Sequence, residues 1–356
     1  MNETQNEEKR SKLSYFKEHK KITALLIIVI ILIATPSIFM LVKFIDARIG
    51  VKTERNYVSY MKGVWEPGFP ALLTALDITR MKEDNINILS LGPTIYAGPY
   101  DILDEQFVLS LIKHAKDQGL AVHIAPQVEG GMGGDPDAIT EETLNQFTEK
   151  VLYWAGLCEQ YGVEYFSPMN EADHALHRDK AVEWHSEVLP KIREVFTGEV
   201  FAKWSNYDDD DYLTEEVDAL LYRVEASVNF DGVMLDFSPP LDWQAKYYFD
   251  PTRELDPEDQ YRPASLYDLI NATSQKANQL GIPIYVGEFY FETLEPPGGT
   301  DRIILTEEER AEWIGKFLDT VMPCYDGVLY CHWVLPGSTV KDTPSEEVMK
   351  ERFGMY

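Results

Sequence analysis

Eight apolar, β-branched or aromatic runs recur along this chain, at residues 58–65, 86–92, 121–127, 163–169, 200–205, 232–238, 283–287 and 327–334. A strand that is apolar almost throughout must be covered on both faces, and helices crossing between parallel strands supply that cover. The segments between the runs have helical periodicity, as in Leu144, Phe147, Val151, Leu152, Trp154 and Ala155 with charges interleaved. Thr306-Glu-Glu-Glu309 is a capping-box pattern that opens the last helix before the eighth run. Gly119, Gly162 and Gly281 each stand where a helix should end before a strand begins. Successive runs start roughly 28 to 50 residues apart, the size of one strand–helix unit. Eight such units predict an α/β chain closed as a (β/α)8 TIM barrel rather than an open sheet. No G-x-G-x-x-G follows the first run, so the dinucleotide-binding sheet lacks its signature.

Residues 22–42, ITALLIIVIILIATPSIFMLV, carry no charge. At 1.5 Å per residue they span roughly 30 Å, the hydrocarbon thickness of a bilayer. The run is too long for a cleaved signal, and Leu41-Val42-Lys43-Phe44 offers no small-residue cleavage site. Six Lys and Arg precede it and four follow closely, which favours a cytoplasmic N-terminus and an external body. The expected organisation is a short cytoplasmic segment 1–21, a transmembrane signal anchor 22–43, a juxtamembrane linker 44–56 and a barrel domain 57–356.

Beyond residue 55 the chain holds 22 basic and 54 acidic residues. Such a field repels phosphate backbones and excludes nucleic acid as a partner. Three cysteines, Cys158, Cys324 and Cys331, are too few for a disulfide scaffold, and buried free thiols are expected. No Cys–His spacing matches a zinc site.

Two of the runs end in a carboxylate, in Phe166-Ser-Pro-Met-Asn-Glu171 and in Tyr285-Val-Gly-Glu-Phe289. Their Glu residues are 117 positions apart. A parallel barrel gathers the C-terminal ends of distant strands onto one face, so Glu171 and Glu288 are expected to share a cleft. Paired carboxylates on such a rim are the equipment for breaking a glycosidic bond. Taken singly, each would be read as a solvated strand-end carboxylate or half of an ion pair.

Asn170-Glu171 at the end of the fourth strand, Glu288 at the end of the seventh and Trp333 at the end of the eighth resemble the signature of clan A, the large barrel clan of retaining glycoside hydrolases. The resemblance covers residues 57–337. Within the clan, Met61-Lys-Gly-Val-Trp65 followed by a helix and Ile86-Asn-Ile-Leu89 is similar to the family 113 β-mannanases. The resemblance implies that Glu171 is the general acid/base and Glu288 the nucleophile. Glu171 must then hold a proton near neutral pH while Glu288 is ionised, with the carboxyl groups about 5 Å apart. It also implies that Asn170 binds the sugar 2-hydroxyl and that Trp333 forms the subsite floor. The expected activity is hydrolysis of a β-linked, neutral oligo- or polysaccharide, with no metal or organic cofactor in the chemistry.

The pattern departs from the clan at Ala172, where a Pro often follows Asn-Glu, and in the sixth strand, Val233-Met-Leu-Asp-Phe237. Many relatives carry a Tyr or His there, near the nucleophile; Asp236 and Tyr290 are the candidates to stand in. Further candidates for the cleft are Trp65 and Glu66 closing the first strand, Trp204 and Asn206 closing the fifth, and His123 in the third, which faces either the barrel interior or the helices. Asp173 reads as a helix cap, residues 208–211 as a solvated acidic loop, and Asn271-Ala-Thr273 as a sequon that falls in a helix. The rival readings are a carbohydrate-binding barrel without catalysis and a metal-dependent hydrolase using His123 and Asp236.

Overall fold

The structure is a computed structural model that describes residues 54–67, 77–95, 102–128, 139–205, 216–258, 262–295, 301–335 and 337–356. In chain order the elements are β1 (Met61–Pro67), α1 (Ile78–Glu83), β2 (Ile88–Gly92), β3 (Thr94–Ile95), α2 (Ile102–Asp117), β4 (Ala121–Ile124), β5 (Gln127–Val128) and α3 (Glu141–Tyr161). There follow β6 (Tyr165–Phe166), α4 (Ala172–Leu176), α5 (Arg178–Val195), β7 (Glu199–Trp204), α6 (Glu216–Ala226), β8 (Gly232–Phe237), α7 (Ala245–Tyr248) and α8 (Leu266–Leu280). The last are β9 (Ile284–Phe289), α9 (Glu307–Val321), β10 (Gly327–Tyr330) and α10 (Pro344–Gly354).

Eight of these strands close a parallel barrel in the order β1-β2-β4-β6-β7-β8-β9-β10. Each coincides with one of the eight runs, so the (β/α)8 expectation holds strand for strand. The boundaries differ where side chains give way to irregular backbone. The fourth barrel strand, β6, has only two ladder residues, and its path to the rim is carried by Ser167 N–H to the Ile124 carbonyl and Asn170 N–H to the Pro126 carbonyl, both 2.8 Å. A small parallel pair of β3 and β5, unforeseen in the sequence, extends the second and third strands toward the rim.

The helix ends follow the local chemistry. Thr306 and Glu309 form the expected reciprocal capping box at α9, and Ser265 with Asp268 forms a second one at α8. Gly162 and Gly281 end α3 and α8 in the left-handed conformation, which only glycine adopts at no cost.

Strand alternation sends one set of side chains inward. Met61, Ile88, Ala121, Tyr165, Phe201, Met234, Tyr285 and Leu329 pack as one cluster on the axis, with the Phe201 ring 5.3 Å from Tyr165 and 5.0 Å from Tyr285. Three large rings share the layer with Ala121, so the barrel is filled rather than open. Two residues further along five of the strands, the inward positions become polar: Ser90, His123, Ser167, Lys203 and Asp236, all buried. The outward set packs on the helices, as Phe289 does on Phe317 of α9 at 4.1 Å.

At the opposite end Glu164, fully buried, accepts from the Val122 N–H at 2.9 Å and pairs with Lys116, whose Nζ also reaches the Gly162 carbonyl at 2.7 Å. Cys158 and Cys331 are buried free thiols as expected, but Cys324 is exposed, because it lies in the turn before β10 rather than under it. Asn271 begins its sequon within α8, where Thr273 is buried and its hydroxyl is held 2.7 Å from that of Tyr325. Among the described residues no helix is long and apolar enough to cross a membrane. The run 22–42, residue Asn206 and the acidic stretch 208–211 lie outside the described residues.

Removing one partner of a buried ion pair leaves a charge without solvent. Glu164→Ala is expected to lower unfolding stability by about 3 kcal/mol, measured as a shift of the urea midpoint at unchanged slope.

Candidate active site

Glu171 sits at the junction of the fourth strand and α4, with φ 48° and ψ 55°. A left-handed backbone at a residue with a side chain costs roughly 1–2 kcal/mol, and such positions persist where the surroundings over-determine them. Here the next turn supplies that constraint. Asp173, buried in α4, accepts from the Ser205 N–H at 2.9 Å and from Arg223 Nε at 2.6 Å, tying α4 to the end of β7 and to α6. Asp173 is therefore a structural anchor for Glu171 rather than a simple helix cap.

Glu288 reaches the interior through a bulge. β8 and β9 pair Leu235 with Val286 but Asp236 with Glu288, so Gly287 is an extra residue on β9. Regular alternation from the inward Tyr285 would turn Glu288 outward. The added residue reverses the parity, sending Glu288 inward beside Asp236 and Phe289 outward onto Phe317. A Cβ on Gly287 would lie 2.3 Å from Asp236 Oδ1 and 3.2 Å from the Lys203 side chain, so the bulge requires glycine for close approach.

Two carboxylates directly across a sheet repel one another. Between them lies Lys203 of β7, with no exposed surface: its Nζ donates to Asp236 Oδ2 and to Glu288 Oε1, both at 2.5 Å, and stands 5.6 Å from the Trp65 ring. Glu288 Oε2 faces the Cys331 thiol at 3.5 Å. The carboxylates of Asp236, Glu288 and Glu171 hold Lys203 in its charged form against the pull of burial. Burial pushes the Asp236 carboxyl well above its usual range, opposed by Lys203 and reinforced by Glu288 and Glu171. Burial, then the charge of Glu288, raises Glu171 to about 8, with Lys203 acting in the other direction.

A cavity of about 440 Å³ opens over this cluster, and Trp65, Asn170, Glu171, Asp236, Glu288 and Tyr290 are among the residues that line it. Among its described lining residues there is no Lys or Arg. Among the described residues, Asn170 Oδ1, Asp236 Oδ1 and the Trp65 indole Nε1 are buried there without a hydrogen-bond partner. Each is thereby a position from which a bound polar ligand gains an interaction. Burial raises the Tyr290 phenol, and its hydroxyl accepts from Arg302. Thus the barrel brings Glu171, Glu288, Asn170, Trp65 and Tyr290 to one cavity.

Three expected contacts lie elsewhere. Trp204 follows the inward Lys203, so alternation turns it outward, where Nε1 donates to Ser227 Oγ at 2.8 Å and the ring meets His185 of α5 at 4.8 Å. His123 does face the interior, but beneath the cavity, bonded to Ser90 Oγ at 2.7 Å and Ser167 Oγ at 2.9 Å; burial and Lys203 lower it to about 3, so it is neutral. Trp333 is 1% exposed and does not line the cavity; its N–H is pinned 2.6 Å from Glu66 Oε1, and His332 takes the lining position instead. Glu66 thus anchors backbone rather than ligand.

Lys203 is the residue that sequence reasoning missed. Its signal is present nonetheless: a lone Lys in Val-Phe-Ala-Lys-Trp, the middle of a strand covered on both faces, needs a partner to be buried at all. Asp236 in Val-Met-Leu-Asp-Phe is the matching anomaly one strand further on.

No protein-family model matches this chain, and no curated protein sequence matches it. Solved structures do. A GH113 β-1,4-mannanase shares 13% identity at a TM-score of 0.61, covering 84% of this chain and 100% of its own. The GH113 β-mannanase of Alicyclobacillus acidocaldarius, solved in complex with ManMIm, shares 14% at a TM-score of 0.58, covering 84% and 98%. A glycoside hydrolase family 5 mannosidase from Rhizomucor miehei shares 13% at 0.58, covering 83% and 92%. At these identities the likeness is one of fold, and it is the fold that the sequence resemblance implied.

Because the charge of Glu288 contributes to the elevation of Glu171, Glu288→Gln should bring the Glu171 titration down from about 8 while burial keeps it above the ordinary carboxylate range. NMR titration of ¹³C-labelled glutamate carboxyls reads this directly; an unmoved Glu171 midpoint contradicts the coupling.

Proposed function

We propose that this chain is a retaining glycoside hydrolase that cleaves β-linked, neutral glycans of mannan type or a related kind by double displacement. The observation that carries the reading is the division of labour between two carboxyl groups in one cavity. Glu171, raised to about 8, keeps its proton at neutral pH, while Glu288 lies against an ammonium group. A proton donor and an anion facing one cleft are what glycoside cleavage requires.

In the first step Glu288 attacks the anomeric carbon as the bond to the leaving oxygen breaks, and Glu171 gives that oxygen its proton. The glycosyl ester formed on Glu288 carries no charge. One of the influences that raised Glu171 is thereby lost, which favours the ionised form of Glu171 just when it must act as a base toward water. Water then attacks the anomeric carbon, Glu171 recovers a proton, and Glu288 leaves as carboxylate. The free Asn170 Oδ1 and Trp65 Nε1 offer an acceptor and a donor to sugar hydroxyls. Among the described lining residues none is a Lys or Arg, which favours an uncharged sugar over a uronic acid. The structural neighbours include a β-1,4-mannanase and a family 5 mannosidase, which supports manno-configured substrates.

The test is inactivation of the full chain by 2-deoxy-2-fluoro glycosyl fluorides of mannose, glucose and galactose, with peptide mass mapping. A covalent label on Glu288 is expected, and the sugar that reacts fastest gives the glycone preference. In Glu171→Ala, hydrolysis of unactivated glycans should fall by about 10²–10⁴, the scale of general acid catalysis. Absence of label alongside binding to glycan arrays would favour a sugar-binding barrel without catalysis.

The apolar run 22–42 and the excess of Lys and Arg before it support a single-pass anchor with the barrel outside the membrane. Expressed in bacteria, the full chain is expected to stay with membranes through an alkaline carbonate wash and to be cut by protease added outside spheroplasts. Release by the wash would overturn the anchor.

A further inference from the structure

We propose that Lys203, held by Asp236, is the positioning residue of the nucleophile: it clamps Glu288 Oε1 and leaves Oε2 to attack. The inference rests on the reading of Glu288 as nucleophile. Its basis is geometric. Lys203 Nζ has two carboxylate partners at 2.5 Å on two neighbouring strands, and the side chain has no exposed surface. Among the described residues, Glu288 Oε2 has the weak Cys331 thiol at 3.5 Å as its partner, and burial keeps that thiol protonated by raising it well above its usual range. The two oxygens of Glu288 are therefore unlike, one held by an ammonium and one left available.

A purely structural ion pair accounts poorly for this arrangement. Burying a charge costs several kcal/mol, and apolar side chains of similar volume fill a barrel interior at no such cost. The β9 bulge and the bare Cα of Gly287 are needed to admit the cluster, and both act at the strand end that carries Glu288. Asp236 completes the clamp. With Glu288 as its only partner, Lys203 would bind that one carboxylate more strongly, and the nucleophile would be less free to form an ester. When Glu288 becomes an ester and loses its charge, Asp236 remains as counterion to Lys203, so no buried cation is left alone. The other groups facing Glu288 are Glu171 after β6, His332 after β10, which burial lowers to about 4 and so leaves neutral, and Tyr290 with its partner Arg302.

The pH dependence of covalent labelling tests the clamp. A 2-deoxy-2-fluoro glycosyl fluoride has a leaving group that needs no proton from Glu171, so the acidic limb of its inactivation rate reports on the nucleophile. The probe is whichever of the manno, gluco and galacto compounds labels the full-length wild type. Lys203→Met is expected to move that limb up by about one unit and to slow labelling about tenfold on its acidic side. Lys203→Arg restores the limb to within a few tenths of a unit. Asp236→Asn moves it the opposite way, to lower pH, because Lys203 then serves Glu288 alone. A structural role would lower the rates at all pH values and leave the limbs in place, and that result overturns the inference. Should Lys203→Met fail to fold, Asp236→Asn decides by itself: a downward shift supports the clamp, and an unmoved limb refutes it. Wild type without label removes the nucleophile reading and this inference together, whereas labelled wild type with unmoved limbs removes the inference alone.

Discussion

Three carboxyl groups at the open end of this barrel are arranged around one buried ammonium group. Asp236 and Glu288 are paired residues on adjacent strands, and Glu171 belongs to the same electrostatic cluster. Three carboxyl groups so close, away from water, would repel one another and drive protons onto all of them. Lys203 makes a mixed state possible, in which Glu288 has a counterion and Glu171 keeps its proton. The surrounding backbone accommodates that ion: the bulge turns Glu288 inward, and Gly287 clears the space. The apolar layer of Tyr165, Phe201 and Tyr285 below it excludes water from the site's floor.

This dependence gives the barrel two ends of different character. At one end Glu164 and Lys116 close the strands with a buried pair whose bonds go to backbone, which serves stability. At the other, the comparable pair of Asp173 and Arg223 fastens the short helix after Glu171, so it fixes a side chain that faces the cavity. The two ion pairs are alike in burial and differ in what they position. Unpartnered polar atoms line the cavity at Asn170, Asp236 and Trp65, as at a surface whose remaining partners belong to a ligand.

The barrel was legible because its cause is local. Continuous apolar runs and helical periodicity depend on nearest neighbours in sequence, and all eight runs became barrel strands. Glu171 and Glu288 were placed in one cleft by the same logic, since a parallel barrel collects strand ends, whereas Asn170 came from the family resemblance. The contacts that failed were decided by parity. Trp204 is one residue beyond Lys203, and one residue is enough to exchange cavity for helix packing. Trp333 was displaced from the cavity by the irregular backbone after β10 and by the hold of Glu66 on its N–H.

The sequence by itself therefore determined the architecture, the end of the barrel where a site would form, and the presence of an acidic pair there. Those follow from hydrophobic pattern and chain direction, which every segment carries in its own residues. The tertiary structure decided that burial and the charge of Glu288 raise Glu171, and that Lys203 lies between Glu288 and Asp236. Burial and charge proximity are properties of strands that meet only when the barrel closes, and the added residue at Gly287 changes facing without altering the apolar pattern that announced the strand.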